Sequence, residues 1–422
     1  MTVIQPVRGA RDFYPEEMAF RQWLNIKIRE ASEQFGYQEY DGPFLERLEL
    51  YAAKSGDELV KEQSYVFPDR SGSMIALRPE LTPSLARMVA QRGKGLALPL
   101  RWWSFGPFWR YERKQKGRSR EFFQWNIDLI GVDSPAVDAE LVAVAATLFR
   151  KVGLTPDMIR IKVNNRRFAE KQLQAIGIQG DLLPKTFRLI DRQDRMTPDA
   201  WKSYALESGI TEDQIADLVK LLEDLEAWKS SPEMLQFFEA ARALGVEEYL
   251  DYDPTVIRGL DYYTGTVYEA RDVKGNHRSI LGGGRYDNLV SEVGGDPIPA
   301  TGFAMGDIVF GLVMDENGIK PDLRICLADI LITFFEKCSG SASIQIAADL
   351  REAGYRVEWY PEPVRLQRQL KYADRNKIPL AVIIGPDEME SGQVSLKNMV
   401  SGEQETFARS DLLARIKAQL GD

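Results

Sequence analysis

Only one histidine, His277, and two cysteines, Cys326 and Cys338, occur among 422 residues. A single imidazole excludes a histidine-rich metal site and argues against a histidine triad, and His277 itself lies in KGNHRS, a turn without metal-ligand spacing. Two thiols make no disulfide or metal framework, which suits a reducing, cytoplasmic setting. No apolar run is long enough to cross a bilayer, so no membrane partner is expected. The opening MTVIQPVRGARDFYPEE has no apolar signal region, so export is not expected either. Basic residues are in deficit, 54 against 63 acids, and the net charge of −9 excludes a nonspecific nucleic-acid binder. A specific RNA held by local basic patches remains compatible with that charge. Chemistry must therefore rest on Arg, Glu, Gln and Tyr, with Mg²⁺ where phosphate is handled.

What is present is an ordinary globular composition, 28% charged and 44% hydrophobic, long enough for two or three domains. The stretch that stands out is residues 104–131, SFGPFWRYERKQKGRSREFFQWNIDLIG. PFWRYE and FFQWNIDLI alternate apolar and polar residues with the period of a strand, and the polar segment between them has Gly117 at its tip. Alternation puts Arg110 with Glu112 on one face, and Gln124, Asn126 and Asp128 on one face of the second strand. Arg110, Arg113, Lys114, Lys116, Arg118 and Arg120 place six cations within eleven positions. That density suits a polyphosphate or an RNA end better than a merely solvated hairpin.

Elsewhere the pattern supplies the frame. A helix through Met18, Trp23, Ile26 and Phe35 stops at Gly36, and GYQEYDGPFLERLELY follows as strand, Gly42-Pro43 turn and apolar run. MIALRPE reads as a strand running into a helix from Leu81, with Thr82 near its N-cap and Pro83 in its first turn. Glu80 and Thr82 thus sit at a strand-to-helix junction, either capping the helix or facing a ligand such as an ammonium group. Ser134-Pro135 starts another helix. From about residue 162 to 250 the chain is helix-rich and charged, without strand alternation, and reads as an inserted helical module reaching over the active face. TVIRGLDYYTGTVYEARD brings Arg258, Asp261, Tyr262 and Tyr263 together, and in SILGGGRYD three glycines would weaken a strand unless a ligand lies against the backbone. PATGFAMGDIVFGLVM gives strand, glycine and apolar helix. From about Leu327 an α/β alternation suggests a separate domain with a mostly parallel sheet. Its helix over 365–377 carries Arg365, Arg368, Lys371, Arg375 and Lys377 against one acid, Asp374.

The chain resembles histidyl-tRNA synthetases, class II aminoacyl-tRNA synthetases, over nearly its full length. The matching stretches are RGARDFYPEE, GYQEYDGPFLE, LRPELT, FWRYERKQKGRSREFFQ, RGLDYYTGTVYE, LGGGRYD and QLKYADRNKIPLAVIIGPDE. GYQEYDGPFLE resembles class II motif 1 and FWRYERKQKGRSREFFQ motif 2, and RGLDYYTG with GGGRYD is specific to the histidine enzymes. The resemblance implies an α+β fold: a class II catalytic domain over 1–325, an antiparallel sheet flanked by helices, with a helical insertion over about 165–249. An α/β anticodon-binding domain would occupy 327–422. It implies ATP-dependent ligation of L-histidine to tRNA-His through histidyl-adenylate, with Mg²⁺ on the β- and γ-phosphates. It further implies a cytoplasmic homodimer joined through residues 20–50.

Residue by residue, the resemblance makes Arg258 and Arg110 the catalytic pair on the histidine carboxylate and the α-phosphate. Glu112, Arg118 and Phe122 would contact ATP, with Phe122 stacked on adenine. Glu80, Thr82 and Gln124 would hold the α-ammonium, Asp128 with Tyr263 would receive the imidazole, and Tyr262 and Tyr286 would line the same pocket. One departure concerns motif 3, whose arginine position is Val309 in GFAMGDIVFGLVM. Either another cation, Arg285 or a loop arginine, then meets the γ-phosphate, or ATP binding is weaker. Two rivals are a catalytically silent, histidine-sensing relative such as the regulatory subunit of ATP phosphoribosyltransferase, and a class II synthetase for another amino acid. The retained arginines, tyrosines and basic helix disfavour the first; Asp128 and RGLDYYTG disfavour the second.

Overall fold

The computed structural model describes residues 3–52, 63–112, 117–193, 196–257, 262–335 and 340–421. Arg113, Lys114, Lys116, Arg258, Asp261 and Cys338, all singled out above, lie outside the described residues. The chain divides into two compact units, 1–13 with 21–321, and 14–20 with 322–422.

The first unit contains, in order, α1 (Pro15–Gln34) from residue 21 onward, β1 (Gln38–Glu39), β2 (Leu45–Arg47), α2 (Leu48–Ala52), β3 (Val66–Pro68), β4 (Met74–Leu77) and α3 (Thr82–Arg92). Then come β5 (Leu100–Trp109), β6 (Glu121–Ile130), α4 (Pro135–Lys151) and β7 (Ile159–Asn165). Five helices follow: α5 (Arg166–Ala175), α6 (Leu182–Asp191), α7 (Pro198–Glu207), α8 (Glu212–Glu223) and α9 (Pro232–Ala243). The unit closes with β8 (Leu250–Tyr252), β9 (Thr266–Asp272), β10 (Leu281–Tyr286), α10 (Leu289–Glu292), β11 (Ala300–Gly306) and α11 (Asp307–Glu316).

An eight-stranded sheet in the order β1-β5-β6-β11-β10-β9-β7-β8 organises the unit. Its centre, from β5 to β7, is antiparallel, while β1 and β8 add in parallel at the two edges. The central hairpin pairs Leu100 with Ile130 through to Trp109 with Glu121. Alternation works as the sequence demands: Trp125, Ile127 and Leu129 are fully buried while Gln124, Asn126 and Asp128 share the other face. The first strand ends at Trp109, so Arg110 and Glu112 lie just beyond it, and Arg110 N–H still donates to Arg120 O at 3.0 Å. Helix α4 packs on the sheet beneath β6, β9 and β11, and α9 packs on α4. Its start is set by Ser134, whose hydroxyl accepts from Ala136 N–H, and by Pro135 in the first turn.

The helical stretch is narrower than the sequence suggests. Residues 162–165 belong to β7 and 250–252 to β8, which pair in parallel in the main sheet. Strand β7 is buried at alternate positions but short and interrupted by charged Arg160 and Lys162, which hid it. The helices between them enclose a core of their own around Leu189, Trp201, Ala205 and Leu218.

In the second unit, β12 (Ile330–Ile332), α12 (Gly340–Glu352), β13 (Val357–Trp359), α13 (Leu366–Arg375) and β14 (Leu380–Ile383) follow the expected alternation. They are continued by α14 (Pro386–Ser391), β15 (Gln393–Asn398), β16 (Gln404–Ala408) and α15 (Leu412–Leu420). The sheet order is β13-β12-β14-β15-β16, parallel across the first three strands and antiparallel across the rest. The mostly parallel sheet expected from sequence is therefore a mixed one. The overlooked hairpin, QVSLKN and QETFA, is polar because its edge strand faces water on most positions.

Candidate active site

A cavity of about 760 Å³ opens on the face of the main sheet that carries Gln124, Asn126 and Asp128. Glu80 and Thr82 reach it from the junction between β4 and α3. Thr82 is the first residue of α3 rather than its cap, and no side chain caps that helix, so the capping alternative for this pair fails. Arg110, Glu112 and Arg118 come from the connection between β5 and β6, and Phe122 from the start of β6. Tyr262, Tyr263 and Tyr286 line the opposite side. Eleven of the twelve residues singled out from sequence thus meet in one cavity, and Arg258 lies outside the described residues.

Local bonding orders these groups. Arg110 Nε donates to Pro79 O at 2.8 Å, and its guanidinium stands 5.4 Å from the Phe122 ring centre. That anchor leaves the outer nitrogens of a bidentate cation facing the cavity. Arg118 pairs with Glu112 at 2.9 Å. Phe122 stacks on Phe108 at 5.9 Å, a buried ring that fixes its plane. Asp128 is 4% exposed and accepts a hydrogen bond from Tyr286 Oη at 2.6 Å. Burial raises its carboxyl to about 7, and the Tyr286 bond opposes that rise. Tyr286 rather than Tyr263 is therefore the phenol bound to Asp128. Tyr263 packs against Tyr262 at 4.8 Å and Tyr262 meets Tyr286 edge-on at 6.0 Å.

The glycines make room for this arrangement. Gly302 faces Asp128 across β11 and β6, and a Cβ there would lie 2.0 Å from the Asp128 Oδ1. In β10, a Cβ on Gly283 would meet Gly302 O at 2.2 Å and one on Gly284 would meet Thr266 O at 2.6 Å. Two of the three consecutive glycines are thus demanded by the neighbouring strands, and only Gly282 lines the cavity. The expectation that a ligand explains the whole run is corrected accordingly.

Arg285 is corrected as well. It points to the other face of β10, is 2% exposed, and donates to Asp138 at 2.8 Å, Val132 O at 3.0 Å and Ser134 O at 3.2 Å. Period-two alternation separates it from Tyr286, so it cannot meet a phosphate in the cavity. Val309, in the first turn of α11, does line the cavity.

Asn126, expected on this face, lines it too, and residues not foreseen join it: Glu269, Arg271, Arg278 and Asp307 among them. Asp307 accepts from Phe123 N–H at 2.9 Å and pairs with Arg11 at 2.8 Å, so the RGARD stretch braces the floor. Glu269 and Arg271 stand two apart on β9, a spacing that could have flagged them as one face. Among the described residues, no group of three His, Cys, Asp or Glu side chains is placed to hold a metal ion.

A sequence profile described as histidyl-tRNA synthetase matches residues 9–306, and one described as anticodon binding domain matches residues 332–419. The chain belongs to the histidyl-tRNA synthetase family. It is similar to the chloroplastic/mitochondrial histidine–tRNA ligase of Arabidopsis thaliana, 40% identical over 97% of this chain and 86% of that protein. The histidine–tRNA ligase of Opitutus terrae is 34% identical over 99% of both chains. That of Haloarcula marismortui is 37% identical over 94% of both. Among solved structures, the histidyl-tRNA synthetase of Nostoc sp. PCC 7120 superposes with a TM-score of 0.82 at 26% identity, covering all of both chains. The apo S. aureus enzyme gives 0.73 at 25% identity. In this synthetase, then, the antiparallel sheet with its cavity is the catalytic part and the mixed five-stranded unit the anticodon-binding part.

Proposed function

We infer that the chain is a histidine–tRNA ligase that activates L-histidine with ATP and transfers it to tRNA-His. The observation that carries this is that, in a chain of this family, a buried Asp128 bonded to Tyr286, the guanidinium groups of Arg110 and Arg118 and the stacked ring of Phe122 all line one cavity. In the first step the histidine carboxylate attacks the α-phosphorus in line, the bond to the β-phosphate breaks, and histidyl-adenylate and pyrophosphate result. In the second, the terminal adenosine hydroxyl of tRNA-His attacks the activated carbonyl and AMP departs.

The roles are those the family resemblance implies, and each makes chemical sense. Arg110 and Arg258 bracket the carboxylate and the α-phosphate, where negative charge grows during attack. Tyr286 occupies one oxygen of Asp128 and leaves the other for an imidazole N–H, while Tyr263 takes the second ring nitrogen. Such a recess leaves polar groups unpaired when a wrong side chain enters. Glu80, Thr82 and Gln124 hold the α-ammonium; Phe122 stacks on adenine; Glu112 and Arg118 contact ATP. The lining carboxylates Glu112, Glu269 and Asp307 are each paired with an arginine. A Mg²⁺ ion that keeps its waters and is held by the nucleotide's outer phosphates fits this lining, and when bound it neutralises charge there.

The same reading assigns a catalytic domain over 1–325 with a helical insertion over 165–249, and an anticodon-binding domain over 327–422. It assigns a cytoplasmic homodimer joined through residues 20–50. Exposed Ile26, Phe44 and Leu45 support that face as one that is covered in the assembly. Sedimentation at micromolar concentration reads the dimer, and cell fractionation the compartment.

The test is amino-acid-dependent ATP–pyrophosphate exchange across all twenty amino acids, with Arg258→Ala beside the wild type. Exchange with histidine alone, reduced at least a hundredfold in the variant, is expected. Histidine binding without exchange would favour the sensing relative instead.

A further inference from the structure

The geometry points to Arg278 as the cation that receives the outer phosphates of ATP in this chain, with His277 positioning it. This deepens the reading of the cavity as an ATP site and rests on it. Expelling pyrophosphate demands fixed positive charge where the β- and γ-phosphates lie. Four described arginines line the cavity: Arg110, Arg118, Arg271 and Arg278. The other three have tasks already: Arg110, anchored on Pro79 O, is assigned to the carboxylate and α-phosphate, Arg118 pairs with Glu112 beside the nucleotide, and Arg271 pairs with Glu269. Arg278 is exposed to the cavity and has no hydrogen bond or ion pair among the described residues.

Its place is fixed by the helix that would otherwise supply the cation. The hairpin between β9 and β10 is tied to both ends of α11. At one end, Asn276 Nδ2 donates to Glu316 at 2.6 Å and His277 Nε2 lies 2.5 Å from the same carboxylate. At the other, Gly306 N–H donates to Ile280 O at 3.4 Å. The carboxylate of Asp272 accepts from the backbone N–H groups of Asn276 and His277 and shapes the turn between these ties. Arg278 is therefore held alongside α11, whose first turn presents Val309 to the same cavity. A Cβ on Gly117 would approach Val309 Cγ2 to 3.2 Å, so the apolar side chain is packed under the loop between β5 and β6. The helix contributes packing there, and the hairpin pinned to it contributes the charge. The only histidine of the chain, with its side chain 5% exposed, is a strut between hairpin and helix.

Histidine-dependent ATP–pyrophosphate exchange tests this with KM for ATP and for histidine measured separately. Arg278→Ala is expected to raise KM for ATP about 10- to 100-fold, with KM for histidine unchanged within about twofold. His277→Ala is expected to shift KM for ATP in the same direction by a smaller factor. Adding Val309→Arg to the Arg278→Ala chain is expected to restore most of the ATP affinity, a rescue that a merely structural defect would not show. An unchanged KM for ATP in Arg278→Ala overturns the assignment. So does a parallel rise in both KM values that Val309→Arg does not relieve. A wild-type chain without histidine-dependent exchange would instead overturn the ATP-site reading beneath it.

Discussion

Asp128 has been taken out of water by the sheet it stands on, and its carboxyl titrates near 7 because burial outweighs the single bond from Tyr286. Since an unfolded aspartate ionises near 3.8, this group favours the folded chain fully only below that pH. Its contribution is lost as pH rises towards about 7 and stays lost above it. Asp128→Asn is therefore expected to leave stability nearly unchanged at pH 4 and to raise it by about 2–4 kcal/mol at pH 8, in the ligand-free chain. Denaturant unfolding at the two pH values checks this, and an equal effect at both would contradict it. The same variant should raise KM for histidine, because the amide cannot present a full acceptor charge to the imidazole N–H. At this scale the sequence was most readable. Polar residues at alternate positions of an otherwise aromatic strand share one face apart from the core, whereas the Asp128–Tyr286 pairing joins residues 158 positions apart and carries no local signal.

At the scale of elements, the antiparallel contact of β6 with β11 decides whether the site can exist. Gly302 yields the space that the Asp128 side chain fills, and Gly283 lets β10 and β11 close up. Gly302→Ala is expected to cost about 1–3 kcal/mol by overpacking and to raise KM for histidine more than tenfold, leaving KM for ATP within about threefold. Thermal unfolding with exchange kinetics separates the two effects. Sequence could flag the glycines but not their reason, because the atoms they would strike belong to strands remote in the chain. It likewise read the glycine-bearing strand in SILGGGRYD, the apolar helix after Gly306 and a hairpin within residues 104–131, each carrying its own period, although it placed the first hairpin strand over PFWRYE where β5 spans Leu100–Trp109. It missed β7 and the β15–β16 hairpin, where charged or exposed positions blur that period.

At the scale of the whole molecule, catalysis and RNA recognition reside in separately folded units. Helix α13 buries Gln369 and Ala373, and Gln369 is spent on Phe334 and Val364 backbone groups. Arg365, Arg368, Lys371, Arg375 and Lys377 remain exposed on a chain that is acidic on average. Phosphate contacts on such a face add affinity that salt removes. Arg368→Glu combined with Lys371→Glu is expected to raise KM for tRNA-His at least tenfold in aminoacylation and to flatten its salt dependence. ATP–pyrophosphate exchange, which needs no tRNA, should stay within about twofold of wild type. A matching loss of exchange would show that the substitution damages the enzyme generally.

Sequence alone determined the class of chemistry, the two-part organisation and most of the residues around the cavity. Strand alternation, glycine placement and the run of arginines are local properties that marked a polar, cationic face, and the resemblance of its motifs to the histidyl-tRNA synthetases supplied the chemistry and the individual site residues. Only the tertiary structure decided which side of β10 each residue serves, burying Arg285 against Asp138 while turning Tyr286 to Asp128. Only it seated the 273–280 hairpin on α11 beside Val309. Those choices depend on how distant strands and helices pack, and packing partners hundreds of residues apart leave no trace in a single sequence.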